Sequence, residues 1–131
     1  MFEGKTMKLL SQSLDVAALR QRVIANNLAN LNTPGFKRST VSFEESLRKA
    51  VGDQRLKLKT THPAHIQPSS GIPRPEVKVD ASTGRRVDGN NVDLEREMLD
   101  LVANQLFYNT LVQQVSGRLD NWRYVINQGR R

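Results

Sequence analysis

The sequence predicts a mainly α-helical fold in which long N- and C-terminal helices form an antiparallel coiled coil, with an irregular middle segment carrying short β stretches. Three observations carry this expectation. Apolar residues recur in alternating steps of three and four at both ends of the chain. Four of the five prolines fall between Pro63 and Pro75, which breaks regular structure there. More than about fifty residues join the two helical ends, ample for an antiparallel return. The chain divides accordingly into an N-terminal helix with a Pro-Gly turn (1–36), an irregular middle segment with possible short strands (37–92) and a C-terminal helix (93–131).

The first helix is expected from about Met7 to Leu31. Its seam reads Met7, Leu10, Leu14, Ala17, Gln21, Ile24, Leu28, Leu31, apolar at all but Gln21, with Lys8, Asp15, Arg20 and Arg22 between. This is a heptad-like stripe on an amphipathic helix. The helix must end near Asn32, because Thr33 precedes Pro34 and is pushed out of the α region, and Gly35 completes a turn signal. Asparagine is a poor helix former, yet Asn26, Asn27 and Asn30 occupy the last turns and Asn32 follows. Two readings stand: a polar surface for a specific helix contact beside the small residues Ala25 and Ala29, or a fraying end that runs into the turn.

The last helix is expected from Leu94 to Ile126. Its seam reads Leu94, Met98, Leu101, Gln105, Tyr108, Val112, Val115, Leu119, Trp122, Ile126, apolar at all but Gln105. Asp93 suits the N-cap, and Glu95 and Glu97 suit the positive first turn. Such a helix is about 50 Å long and calls for a partner, because one amphipathic helix cannot bury its stripe alone. With Leu31 level with Leu94, Gln21 and Gln105 fall at nearly the same height. They either face each other and fix the register or lie at solvent-facing seam edges.

Between the helices, Arg55–Lys59 and Glu76–Asp80 alternate as short strands do, each with one face to bury, and Phe43–Leu47 adds a helical turn or two. Hydrophobic residues make up 37% of the 131 residues, and the mean hydropathy is −0.54. That balance suits a chain that buries much of its surface on assembly. No run of about 18 apolar residues marks a membrane span, and no signal-peptide core is expected. The net charge of +7 is spread along the chain without a basic block, against a nucleic-acid partner. There is no cysteine. His62 and His65 offer two ligands at most, and His62 precedes Pro63, so no metal is expected. No phosphate loop and no nucleophile-base constellation stands out. The expectation is a non-enzymatic assembly subunit with no cofactor and no small-molecule substrate.

Two stretches resemble a known family. Asn26-Asn27-Leu28-Ala29-Asn30-Leu31-Asn32-Thr33-Pro34-Gly35-Phe36-Lys37-Arg38 is similar to the N-terminal signature of bacterial flagellar basal-body rod, hook and hook-associated proteins. Gly89-Asn90-Asn91-Val92-Asp93-Leu94-Glu95-Arg96-Glu97-Met98, continuing through Asn104-Gln105-Leu106 to Tyr108, resembles their C-terminal signature. The short middle segment, with Thr61–Ile66 and Asp88–Asp93, resembles the proximal-rod subtype. The resemblance implies a structural subunit that stacks helically through its terminal helices, links the inner-membrane ring and export gate to the distal rod and transmits torque. It also implies partnership with copies of itself, other rod proteins and adaptor proteins of the ring and gate. Its implied location is the periplasmic rod, reached through the flagellar type III apparatus without a cleaved signal.

On this reading the assembly contacts fall on three groups. Leu14, Ile24 and Leu28 belong to the first seam. Asn26, Asn27, Asn30, Asn32, Pro34, Gly35 and Phe36 belong to the signature. Met98, Gln105, Tyr108, Val112, Leu119 and Trp122 belong to the last seam. Phe43 and Leu47 also match the short export-gate pattern of early flagellar substrates, and the same spacing serves an ordinary i,i+4 helix contact. The alternative from another class is a basic helical adaptor for an acidic partner such as nucleic acid or an anionic membrane.

Overall fold

A computed structural model describes residues 2–52, 74–82 and 86–128. The elements in chain order are α1 (Phe2–Ala29), β1 (Ser39–Ser42), α2 (Glu44–Gly52), β2 (Glu76–Val79) and α3 (Leu94–Gln128). The chain is mainly helical, and α1 packs along α3. Contacts fix the antiparallel sense: Thr6 accepts from Arg118, Gln21 from Asn104, and Asn27 donates to Glu97. Positions at one level therefore sum to about 125, which places Leu31 level with Leu94 as the two apolar seams require.

α1 starts five residues before the expected Met7 and stops before Asn30. Glu3–Thr6 holds no proline, and the helix runs on through Gly4 to Phe2 despite the low helix propensity of glycine. At the other end the chain tightens into shorter bonds, Asn30 N–H to the Asn27 carbonyl at 3.2 Å and Leu31 N–H to that of Leu28 at 3.2 Å. Gly35 follows in the left-handed region at φ 71°, a conformation glycine adopts without steric cost. α3 starts at its expected cap: the Asp93 carboxylate accepts from the backbone N–H of Glu95 at 3.0 Å and of Arg96 at 3.4 Å.

β1 and β2 form an antiparallel pair, Ser39 opposite Val79 and Ser42 opposite Glu76. Glu76–Asp80 was expected as a strand, but its partner Ser-Thr-Val-Ser carries one apolar residue in four and gives no alternation to read. The expected buried face of β2 is absent: all four of its residues are exposed. A two-stranded sheet has no second layer to cover that side. Arg55–Lys59 and the His62/His65 pair lie outside the described residues. So do Gly129, Arg130 and Arg131.

The apolar core is small. Val16, Val41 and Phe43 are buried together, with Leu19, Val23 and Leu47 packed against them. The i,i+4 pair Phe43 and Leu47 therefore closes α2 onto α1 and β1. Arg20 reaches across this cluster to Glu44 at 2.5 Å. Burial pushes the Glu44 carboxyl up, but the Arg20 hydrogen bond and charge outweigh it and hold it below the usual range.

The α3 seam differs from the expected one in eight of its ten positions: Leu94, Tyr108, Trp122 and Ile126 are exposed, as are four others. Leu101 and Val115 are half-buried, as expected of seam residues. Met98, Gln105, Val112 and Leu119 are exposed, and Glu97, Asn104, Leu111 and Arg118 take their places toward α1. The stripe is thus turned by roughly 50°, half of one residue's 100° step. The Gln21–Gln105 pairing is corrected in the same way. Gln21 Oε1 accepts from Asn104 Nδ2 at 3.0 Å, while Gln105 bonds to Asn109 on the outer surface. The height was right within one residue. The partner differs because buried polar contacts at Glu97 and Asn104, invisible to an apolar count, set the rotation of the helix.

Candidate functional site

The two signature stretches meet in one buried polar junction. At the end of α1, Asn27 is fully buried and acts as a backbone mimic. Its Nδ2 donates to the Ser39 carbonyl at 2.8 Å, and its Oδ1 accepts from the Ser39 N–H at 3.0 Å. Nδ2 also donates to Glu97 at 3.1 Å. The Asn27 side chain thereby docks β1 onto α1 with the bond pattern of a strand neighbour.

Glu97 is the largest fully buried side chain of the chain's described part. Its carboxylate accepts from Asn27 and from Arg38 Nε. Arg38, itself buried, turns its Nη2 to Asp100 at 2.6 Å and gives its backbone N–H to Asn91 Oδ1 at 2.6 Å. A buried charge persists only when paired and fully hydrogen-bonded. These bonds satisfy Glu97 on both oxygens.

Asn90 does the same work for the turn after α1. Its Nδ2 donates toward the carbonyls of Asn30 (3.1 Å), Leu31 (3.0 Å) and Thr33 (2.9 Å), and its Oδ1 accepts from the Val92 N–H at 2.8 Å. The last carbonyls of a helix lack internal partners, so a residue sixty positions away caps α1. Asn91 reaches the Asp80 carbonyl at 2.9 Å, tying β2's end to the start of α3. Lys37 Nζ and the Gly35 N–H bind the carbonyls of Gly89 and Asp88, both at 2.9 Å. Gly89, at φ 79°, lies close to Gly35, whose Cα is 3.9 Å from where a Cβ on Gly89 would stand. The Asp80 carboxyl is held below its usual range by the Ser82 backbone N–H.

The structure sorts the expected contact residues. Ile24 and Asn27 are buried within the chain, and Leu14, Leu28, Asn30 and Phe36 are half-buried. Asn26, Asn32, Pro34 and Gly35 are exposed on one side of the junction. Met98, Gln105, Tyr108, Val112, Leu119 and Trp122 are exposed along α3. Phe43 and Leu47 belong to the apolar cluster. Sequence reasoning missed Arg38, Glu97, Asn104 and Asn90 as buried anchors. The signal was present as charges and amides within the signatures, but Glu97 was read as a first-turn charge.

A surface groove of about 440 Å³ opens beside the junction, with Arg20, Arg38, Asp100 and Asn104 among its lining. Its Arg20 and Arg38 are committed to Glu44 and to Glu97 with Asp100. Among the described residues no group of three or more potential ligands could hold a metal ion, and no helix is long and apolar enough to cross a membrane. The chemistry of the junction is structural: it locks two distant segments together.

The family model described as flagella basal body rod protein matches residues 5–37, the stretch from α1 into the turn. The chain is 32% identical over 130 residues to the flagellar basal body rod protein FlgB of Bacillus subtilis, covering 99% of this chain and 98% of the relative. It is 38% identical over 105 residues to that of Borreliella burgdorferi, covering 75% and 78%. It is 28% identical over 130 residues to that of Escherichia coli, covering 94% of each. Near full-length likeness, with both signatures joined in one buried junction, establishes that the chain belongs to the FlgB family of flagellar basal body rod proteins.

Proposed function

We propose that the chain, a structural subunit of the flagellar basal body rod, sits in the proximal section and assembles helically through its terminal helices. There it links the inner-membrane ring and export gate to the distal rod and carries torque. The observation that carries this reading is the junction itself. Both helical ends are joined by buried, directional bonds, while exposed apolar residues such as Leu106 and Val125 line the outside of α3. A rigid clamp with an apolar exterior suits a load-bearing subunit covered by neighbours. The partners on this reading are other copies, other rod proteins and the adaptor proteins of the ring and gate. Deleting the coding sequence in a motile host is expected to abolish swimming and to leave basal bodies that stop before the rod. Full-length rods in the deletion strain would sink the proposal. A basic adaptor would lose its partner steeply as salt rises, whereas contacts through α3 should persist.

The proposed route to the periplasm is the flagellar type III apparatus, without a cleaved signal, with Phe43 and Leu47 read by the export gate. These side chains also build the apolar cluster, so Phe43→Ala alone is ambiguous. Val16→Ala loosens the same cluster without touching the pattern. The expected result is that Phe43→Ala lowers secretion severalfold while Val16→Ala does not. Equal secretion of the two variants would assign Phe43 to packing alone.

A further inference from the structure

Between Leu101 and Gly117, α3 carries no charged residue over 17 positions, a belt of roughly 25 Å. Most of that belt is exposed, including Val102, Leu106, Phe107 and Val112 at 40–64%. A solvated helix face of this length ordinarily carries charge, and depletion of charge with retained aromatic and aliphatic residues marks the centre of protein contacts. Gly117 stands at the end of the belt, inside the helix, with nothing within 4 Å of where a Cβ would stand. Glycine lowers helix stability there and no neighbour within the chain requires it. It leaves room for another backbone.

The chain holds a second charge-free stretch, Val23–Phe36. Its exposed edge includes Ala25, Asn26, Ala29, Asn32, Pro34 and Gly35. Among the described residues, no hydrogen bond engages the side-chain amides of Asn26, Asn32, Gln113 or Gln114. Neutral amides and small side chains desolvate at far lower cost than ions and offer both donors and acceptors. The Asn26–Gly35 edge and the far half of the belt do not meet within one chain. The antiparallel register sets Ala25 level with Asp100 and Gln113 level with Gln12. That leaves Ala25 and Gln113, in the far half of the belt, about 20 Å apart along the axis.

We propose that the α3 belt of one copy receives the Asn26–Gly35 edge of a second copy of this chain, displaced along the helix axis by about 20 Å. The contact joins two different surfaces, so it repeats head to tail and yields an open helical stack rather than a closed dimer. It rests on the rod reading and names the surfaces through which neighbouring copies meet.

The chain has no cysteine, so an introduced pair reports cleanly. Ala25→Cys and Gln113→Cys are too far apart in one chain for a disulfide, whose Cα atoms must lie within about 7 Å. Basal bodies from cells producing the double variant, mildly oxidised, are expected to yield disulfide-linked dimers and higher multimers. The mixed single variants, purified at high concentration, should give the mixed dimer, little changed in 0.5 M salt. Gly117→Ala should raise the unfolding midpoint of the isolated chain by about 4 °C and cut the cross-link severalfold. Variant chains present in basal bodies but linked only to another protein, or not at all, would overturn the proposal and leave the rod assignment intact. Variant chains missing from basal bodies would count against that assignment instead. The mixed purified variants would then decide the contact, with absence of the mixed dimer overturning it.

Discussion

Arg38→Ala is expected to destabilise the isolated chain by about 3–5 kcal/mol, the cost of leaving one member of a buried ion pair without its partner. Glu97 has no exposed surface and would keep only the Asn27 donor on one oxygen. The Asp100 arm contributes little to this figure, because its side chain is nearly half exposed and water screens it. Domains of this size have only about 5–15 kcal/mol to lose, so the helical junction should unfold near ambient temperature. Urea titration followed by circular dichroism checks this. Removing both charges, as R38M/E97M, should recover most of the loss, since well-packed apolar residues replace a buried pair at little cost. A loss below about 1 kcal/mol for Arg38→Ala would mean that Glu97 is reached by water.

Asn90→Ala should cost about 1–3 kcal/mol, because the buried Val92 N–H loses its acceptor and the carbonyls of Asn30, Leu31 and Thr33 each lose one of two donors. Asn90→Asp is the sharper test. It keeps the shape and the acceptor for Val92, yet a carboxylate has no donor and faces three carbonyl oxygens. It should destabilise at least as much as alanine. Thermal unfolding of both variants decides it. If Asn90→Asp is tolerated, the turn after α1 is not held by this amide.

These variants act at positions that periodicity alone does not single out, and the reason is physical. Steps of three and four locate a helix and the general side it buries. They found α1, found α3 with its Asp93 cap and gave the antiparallel level to within one residue. The same count preferred Met98 and Gln105 to Glu97 and Asn104. It did so because it scores burial by hydrophobicity, whereas α3 is rotated to satisfy polar groups on another segment. The partner of β2 was unreadable for a related cause. Ser39–Ser42 is four residues long and owes its place to Asn27 and Asn91, which bond the backbone around it.

The candidate site was legible in outline. The Asn-rich end of α1 and the Gly89–Met98 stretch stood out as unusual, and their resemblance to rod signatures pointed to the family. Their division of labour was not legible. Asn27 and Asn90 are consumed inside the chain, while Asn26 and Asn32 face outward. Neighbouring asparagines on a helix differ by about 100° in direction, and only the packing of α3 and β1 selects which of them is enclosed.

By itself, then, the sequence determined a pair of long helices returning on each other, a proline-punctuated middle and two termini of one family type, since helix periodicity, capping and proline stereochemistry act locally. Tertiary structure decided the rotation of α3, the strand pairing and the interlock of Asn27, Arg38, Asn90 and Glu97. Those depend on which polar groups, sixty or more residues apart in several cases, satisfy one another once water is excluded.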